Sequence, residues 1–265
     1  DKNRNIDGLL CWGSHPFEKV TYHARESGGV NELYAAALES GLDNSPMYDK
    51  IKFDKAGSKM LLNDVGLSSL YIMDCDYLAN IAQELGHQKE AGELRQRSER
   101  YRQRLSITWD ESKGLYYNRH TDTGTLNPRT SPTNFYPLLA KVPTQEQALR
   151  MVNEHLLNPD EFWGEWVLPA TPRNDPAFKD NIYWRGRIWA PLNFLVYLGL
   201  RNYDLPDVRK SLAEKSKNLL LKSWTSHGYV FENYNAETGQ GDDAGRSDKF
   251  YHWGALLGFI GLMED

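Results

Sequence analysis

Cysteine is nearly absent: Cys11 and Cys75 are the only two in 265 residues. They form no metal-ligand spacing and stand either as free thiols or as one disulfide. The seven histidines are scattered and no HExxH occurs, so no metal site is expected. GxGxxG, the P-loop and the GxSxG elbow are missing too, which removes dinucleotide binding, phosphate-loop chemistry and the serine hydrolase elbow. No organic cofactor is expected. There is no run of lysine or arginine, and the net charge is −5, so nucleic acid is not an expected partner. The longest apolar runs are far too short to cross a membrane.

What the chain has in quantity is aromatic: 8 Trp, 15 Tyr and 9 Phe, many beside Gly, Pro or Asn rather than inside helical runs. Rings on loops line sites for flat apolar ligand faces, and a sugar ring is one such face. Charged residues at 25% and hydrophobic ones at 40% are ordinary for a globular chain of this length, which holds one large core or two small ones. The chain opens on Asp1 with no methionine and no leader-like stretch, and reads as a segment of something longer.

The stretch Glu39–Asp49, ESGLDNSPMYD, organises the rest. Leu33, Ala36, Ala37 and Ser40 share one helical face, Gly41 supplies a left-handed stop, and Pro46 forbids continuation. Asp43 is thereby placed on a short loop past a helix C-terminus, where the helix dipole favours its protonated form. It reads either as a general acid or, with Asn44, as an ordinary turn residue.

Along the chain, CWGSHP presents Trp12 on a loop. Asp64–Leu85 and Lys89–Trp109 read as an antiparallel pair of long helices, the first burying Leu67, Leu70, Tyr71, Asp74, Leu78, Ile81 and Leu85, with Gly86 as its stop. Lys113–Leu126 and Gly228–Gly241 read as small β-hairpins. Helices are expected near Ser131–Ala140, over Thr144–Leu157 with a capping box at Thr144 and Gln147, over Tyr183–Leu200, Pro206–Trp224 and Phe250–Met263. Asn158–Asn181 is a long loop rich in proline and aromatics, including Trp163, Glu165 and Trp166, and a loop of that length and composition is expected to be functional. About eight helices with loops gathered on one rim imply an all-α chain, part of an α/α toroid decorated with hairpins, and are too few to close six pairs.

Among acidic candidates, Glu232 lies between Phe231 and Tyr234 in FENYN. It is either a partly desolvated carboxyl suited to proton transfer or a solvated loop residue. In YWRGRIW (Tyr183–Trp189), Arg185 is either a ligand contact or a structural partner of a carboxylate, and Gly186 allows close backbone approach. Asp242, Asp243 and Asp248 read as a solvated turn, with a cation site as the other option.

In the order ESGLDNSP, WDESKGLYY, YWRGRIW, FENYNAETGQG and YHWGAL, the chain resembles the inverting (α/α)6-barrel glycosidases, above all glycoside hydrolase family 63, and more distantly the trehalases. That resemblance covers nearly the whole chain as a single catalytic domain. It implies an α-glycosidic bond as target, Asp43 as general acid, Glu232 as general base, and a substrate pocket at Trp184, Arg185 and Gly186. Trp12, Asn44, Trp163, Glu165, Trp166, Tyr183, Tyr234 and Trp253 are the further residues expected to bind the sugar. Inversion implies carboxyl groups roughly 6.5–9.5 Å apart. In the family the acid lies deep in the barrel, whereas here it is only 43 residues in. The chain therefore reads as the C-terminal portion of a toroid, with the N-terminal portion as its expected partner and exposed apolar faces where that portion would pack. Two other readings fit the same toroid: a sugar epimerase, which would work with histidine pairs, and a non-catalytic helical interaction domain, which would need no carboxylates among its rings.

Overall fold

A computed structural model describes residues 5–14 and 32–264, so the break that Gly28 and Gly29 are expected to make in the first helical segment lies outside the described residues. The contacts divide the chain into two compact units, Asp1–Trp109 with Tyr117–Pro128, and Asp110–Tyr116 with Arg129–Asp265. Among the described residues no helix is long and apolar enough to cross a membrane. Cys11 and Cys75 are both buried, and no disulfide joins them to each other.

In the first unit α1 (Glu32–Glu39) packs its alanines, Ala35, Ala36 and Ala37, inward. Gly41 follows at φ 70°, the left-handed stop that the sequence predicts. The long helices are α2 (Val65–Glu84) and α3 (Gln88–Leu105), joined through Gly86 at φ 82°. Asp64 caps α2, its carboxylate accepting the Leu67 N–H at 2.8 Å. The pair is tied by Tyr71 against Tyr101, ring centres 4.8 Å apart, and by Arg102 on Asp76 at 2.6 Å.

The buried face of α2 differs from the expected one. Val65, Ser68, Ser69, Ile72, Cys75 and Ala79 go inward, whereas Tyr77, Leu78, Ile81 and Leu85 are exposed and Asp74 points to solvent. Periodicity fixes the spacing of a helical stripe but not which of two stripes faces in. Small side chains leave room for close packing on the inner side, and burial of Ile72 alone is worth about 1.5–3 kcal/mol. Trp109 also leaves the predicted helix: α3 ends at Leu105, a 3-10 turn spans Ser106–Thr108, and Trp109 is extended.

The first predicted hairpin closes at its DTG turn, where the His120 N–H donates to the Thr125 carbonyl at 2.8 Å and Arg119 bridges Leu126 antiparallel. Its strand Arg119–His120 also pairs antiparallel with Leu62–Asn63. A further pair joins Phe53–Asp54 to Lys59–Met60.

The second unit carries α4 (Gln145–Arg150), with the capping box at Thr144 and Gln147 in place, and then a π turn over Met151–Leu156. The Ser131–Ala140 segment is a 3-10 helix over Pro132–Leu138. The long aromatic loop places Phe162, Val167, Leu168 and Ala170 in the core, which is how a segment with little regular structure stays ordered. Next come α5 (Ala190–Leu200), α6 (Pro206–His227) and α7 (Leu256–Glu264). The predicted helix from Tyr183 begins only at Ala190. Tyr183 at φ 57° and Gly186 at φ 87° take left-handed angles that no α-helix accepts. The second predicted hairpin likewise finds a distant partner: Tyr234–Asn235 pairs antiparallel with Arg187–Ile188.

Candidate active site

In the first unit, the turn bearing Asp43 and Asn44 is built by short-range bonds and anchored by a buried methionine. The Ser45 N–H donates to the Leu42 carbonyl at 2.8 Å, and Pro46 opens a 3-10 turn to Tyr48. Met47 is fully buried, and its carbonyl accepts from the Asn127 side chain at 3.0 Å. Asp43 and Asn44 remain half-exposed at the head of this anchored turn.

Beneath them sits a carboxyl that the sequence reading missed. Asp64 is buried, and it accepts from the Tyr48 hydroxyl at 3.3 Å and from the Trp12 side chain. Burial raises its pKa, and the hydrogen bonds from the Leu67 N–H, Tyr48 and Trp12 pull the other way without cancelling it. The Tyr48 hydroxyl is pushed well above its usual value, first by burial and then by the neighbouring Asp64 charge. Asp64 therefore fixes the indole of half-buried Trp12 and the Tyr48 end of the Asp43 loop at once. The Asp–x–x–Leu pattern opening α2 was the available signal, and it reads only as a cap.

In the second unit, Glu232 is 7% exposed and its backbone N–H donates to the Asp248 carbonyl at 2.9 Å. The FENYN and YWRGRIW stretches meet here through the Tyr234–Asn235 and Arg187–Ile188 pair. Arg187 is wholly buried. It bonds Asn233, reaches Asn181 at 3.2 Å, and forms an ion pair with Asp243 at 2.9 Å. Asp243 lies in an exposed turn, as the sequence suggests, and serves there as counter-ion to Arg187. Among the described residues no cluster of His, Cys, Asp and Glu could hold a metal.

The predicted aromatic contacts divide into two groups. Trp184 is buried and stacks on Trp189 with ring centres 3.6 Å apart, while Tyr183 and Trp253 approach Trp189 edge-on at 5.0 and 6.0 Å. Tyr234 is fully buried, its hydroxyl accepting from the Phe231 N–H at 2.9 Å beneath the Glu232 loop. Trp163 and Trp166 instead lie under α6, with the ammonium groups of Lys215 and Lys222 over their rings at 4.9 and 5.5 Å. Glu165 is exposed beside them, its carbonyl accepting from Lys215 at 2.9 Å. Arg185 pairs with Asp180 at 2.6 Å. A Cβ on Gly186 would lie 2.2 Å from the Phe178 carbonyl oxygen, so the backbone does approach as closely as the sequence suggests.

The first unit thus holds a half-exposed carboxyl on an anchored turn, and the second holds a buried carboxyl beside an amide network and, separately, a stacked pair of indoles. The family model of the Mannosylglycerate hydrolase MGH1-like glycoside hydrolase domain matches residues 21–253. The chain belongs to this family. A mannosylglycerate hydrolase of Rubrobacter radiotolerans is 26% identical over 94% of this chain and 65% of its own length. One from Thermus thermophilus is 30% identical over 58% of this chain and 34% of its own. A solved family 63 mannosylglycerate hydrolase, also from Thermus thermophilus and in complex with glucose, superposes with a TM-score of 0.66 at 25% identity, covering 84% of this chain and 60% of that one. The fold is accordingly the all-α, (α/α)6-toroid class. The chain spans less than two thirds of the length of these relatives.

Proposed function

We propose that the chain carries the acid and the base of an inverting glycoside hydrolase that cleaves α-linked glycosides, with mannosylglycerate and α-glucosides as the first substrates to try. The observation that carries this reading is the family match over residues 21–253, a span that includes both Asp43 and Glu232. Asp43 protonates the departing glycosidic oxygen, for which its half-exposed place on an anchored turn leaves access. Glu232, sunk among rings and amides, takes a proton from the attacking water. In this reading Trp12 and Asn44 of the first unit, and Tyr183, Trp184, Arg185, Gly186 and Trp253 of the second, are sugar-binding residues, as are Trp163, Glu165 and Trp166 on the long aromatic loop. Tyr234 supports the base from below. No cofactor takes part in this scheme. The remaining walls are assigned to a companion segment of the same catalytic domain, since the relatives are longer than this chain.

Sugar release from mannosylglycerate, glucosylglycerate, trehalose and α-glucosides tests the reaction class. NMR of the product immediately after cleavage tests the stereochemistry. The β anomer is expected from an α-linked substrate. A freshly formed α anomer would overturn the roles given to Asp43 and Glu232.

A further inference from the structure

The side chain of Asn233 stands between Arg187 and Glu232. Its carbonyl oxygen accepts from the Arg187 Nε–H, and its NH2 donates to the Arg246 carbonyl at 2.8 Å and faces the Glu232 Oε2 at 3.5 Å. An amide has one accepting and one donating end, so whatever holds the first end dictates what the second presents. Arg187 can donate but never accept, and it is itself fixed by Asp243 at 2.9 Å and by the Asn181 side chain. We infer that Arg187 is a positioning residue for the general base: it locks the Asn233 amide so that N–H, not oxygen, is turned toward the Glu232 carboxylate. This inference rests on the reading of Glu232 as the base.

The Arg246 carbonyl holds the NH2 end. With the Arg187 end released the amide hangs on that single bond, the N–H facing the carboxylate is no longer fixed, and Glu232 is free to turn away from the water it must activate. The Asp243–Arg187–Asn233 line thus carries orientation from a charged turn to the reacting group. It explains why an arginine with no exposure at all sits in a strand of only two residues.

The test uses the full chain and the glycoside it hydrolyses fastest. Arg187→Lys keeps the charge but loses the fork, and kcat should fall roughly 10–100-fold with KM nearly unchanged. In a Glu232→Gln background the same change should cost less than about threefold more, because nothing remains to be positioned. Asp243→Asn, a milder change at the outer end of the line, should reproduce the pattern at smaller size if Arg187→Lys does not fold. Asn233→Asp keeps the acceptor for Arg187 but turns an oxygen toward Glu232. It should move the acid limb of the kcat/KM profile up by roughly one pH unit or more, with Arg187, Asp243, Arg246, Asp248 and Lys249 all retained. Losses that multiply fully in the double variant, or an acid limb that stays in place in Asn233→Asp, would overturn the inference. Either result would leave the separate loss in Glu232→Gln, and hence the base itself, standing. A fully active Glu232→Gln would instead remove the base and this role with it.

Discussion

The two proposed catalytic carboxyls are held in opposite ways. Asp43 is placed by chain geometry: a glycine at φ 70°, a turn closed by Ser45 on Leu42, and a proline, all within six residues. Glu232 is placed by distant groups: a strand partner in Arg187–Ile188, the Asp248 carbonyl on its own N–H, and an arginine more than forty positions away. A locally placed group tolerates change elsewhere in the chain. One placed by long-range polar bonds depends on every member of its network.

The largest effects should come from the carboxyls. Asp43→Asn and Glu232→Gln should each lower turnover by roughly 10²–10⁴-fold, with far-ultraviolet circular dichroism unchanged. A substrate whose leaving group needs no proton separates them, rescuing Asp43→Asn in part and Glu232→Gln not at all.

Next in size is Asp64→Asn, which puts a donor where Trp12 and Tyr48 also donate. Urea unfolding should show a loss of about 1–3 kcal/mol, and activity should fall with it because the Asp43 loop shares the Tyr48 contact.

Gly41→Ala is smaller. Nothing lies within 4 Å of an added Cβ, so only the left-handed angle is strained, at about 1–2 kcal/mol. Gly41→Asn should cost less than Gly41→Ala in the same melt, since asparagine visits that region more readily. Equal losses would mean that the local account of this turn is wrong.

The smallest effect is a pH slope on the long-range side. Burial draws the His155 pKa down, but the Glu161 carboxylate at 2.7 Å and the Lys113 carbonyl at 2.6 Å outweigh it, and the net shift is upward. The folded value thus exceeds the unfolded one. The stability that His155 contributes is full below the ordinary histidine pKa and is lost as pH rises through the raised one. Denaturant midpoints taken between about pH 6 and pH 8 should fall in the parent and fall less in His155→Gln.

The same contrast explains what the sequence disclosed. The Asp43 turn, the stop at Gly86 and the capping box at Thr144 were legible because each is written within a few residues. Arg187 was not, since its partners Asn233 and Asp243 lie 46 and 56 positions away, and DD beside a glycine reads locally as a solvated turn. The orientation of α2 failed for a related reason. Two stripes shared the helical period, and packing against the rest of the first unit chose the one with small side chains. The two hairpin segments are legible as extended chain, but their pairings with Leu62–Asn63 and with Arg187–Ile188 are not, because those are decided across the chain.

Gly186 has a meaning for inheritance as well as for architecture. Every missense change at its codon adds a Cβ that would lie 2.2 Å from a backbone oxygen, in a conformation at φ 87° that side chains already resist. Backbone cannot step aside as a flexible side chain can. No conservative replacement therefore exists at this codon, and any missense change there must move the Phe178 backbone or fail to fold.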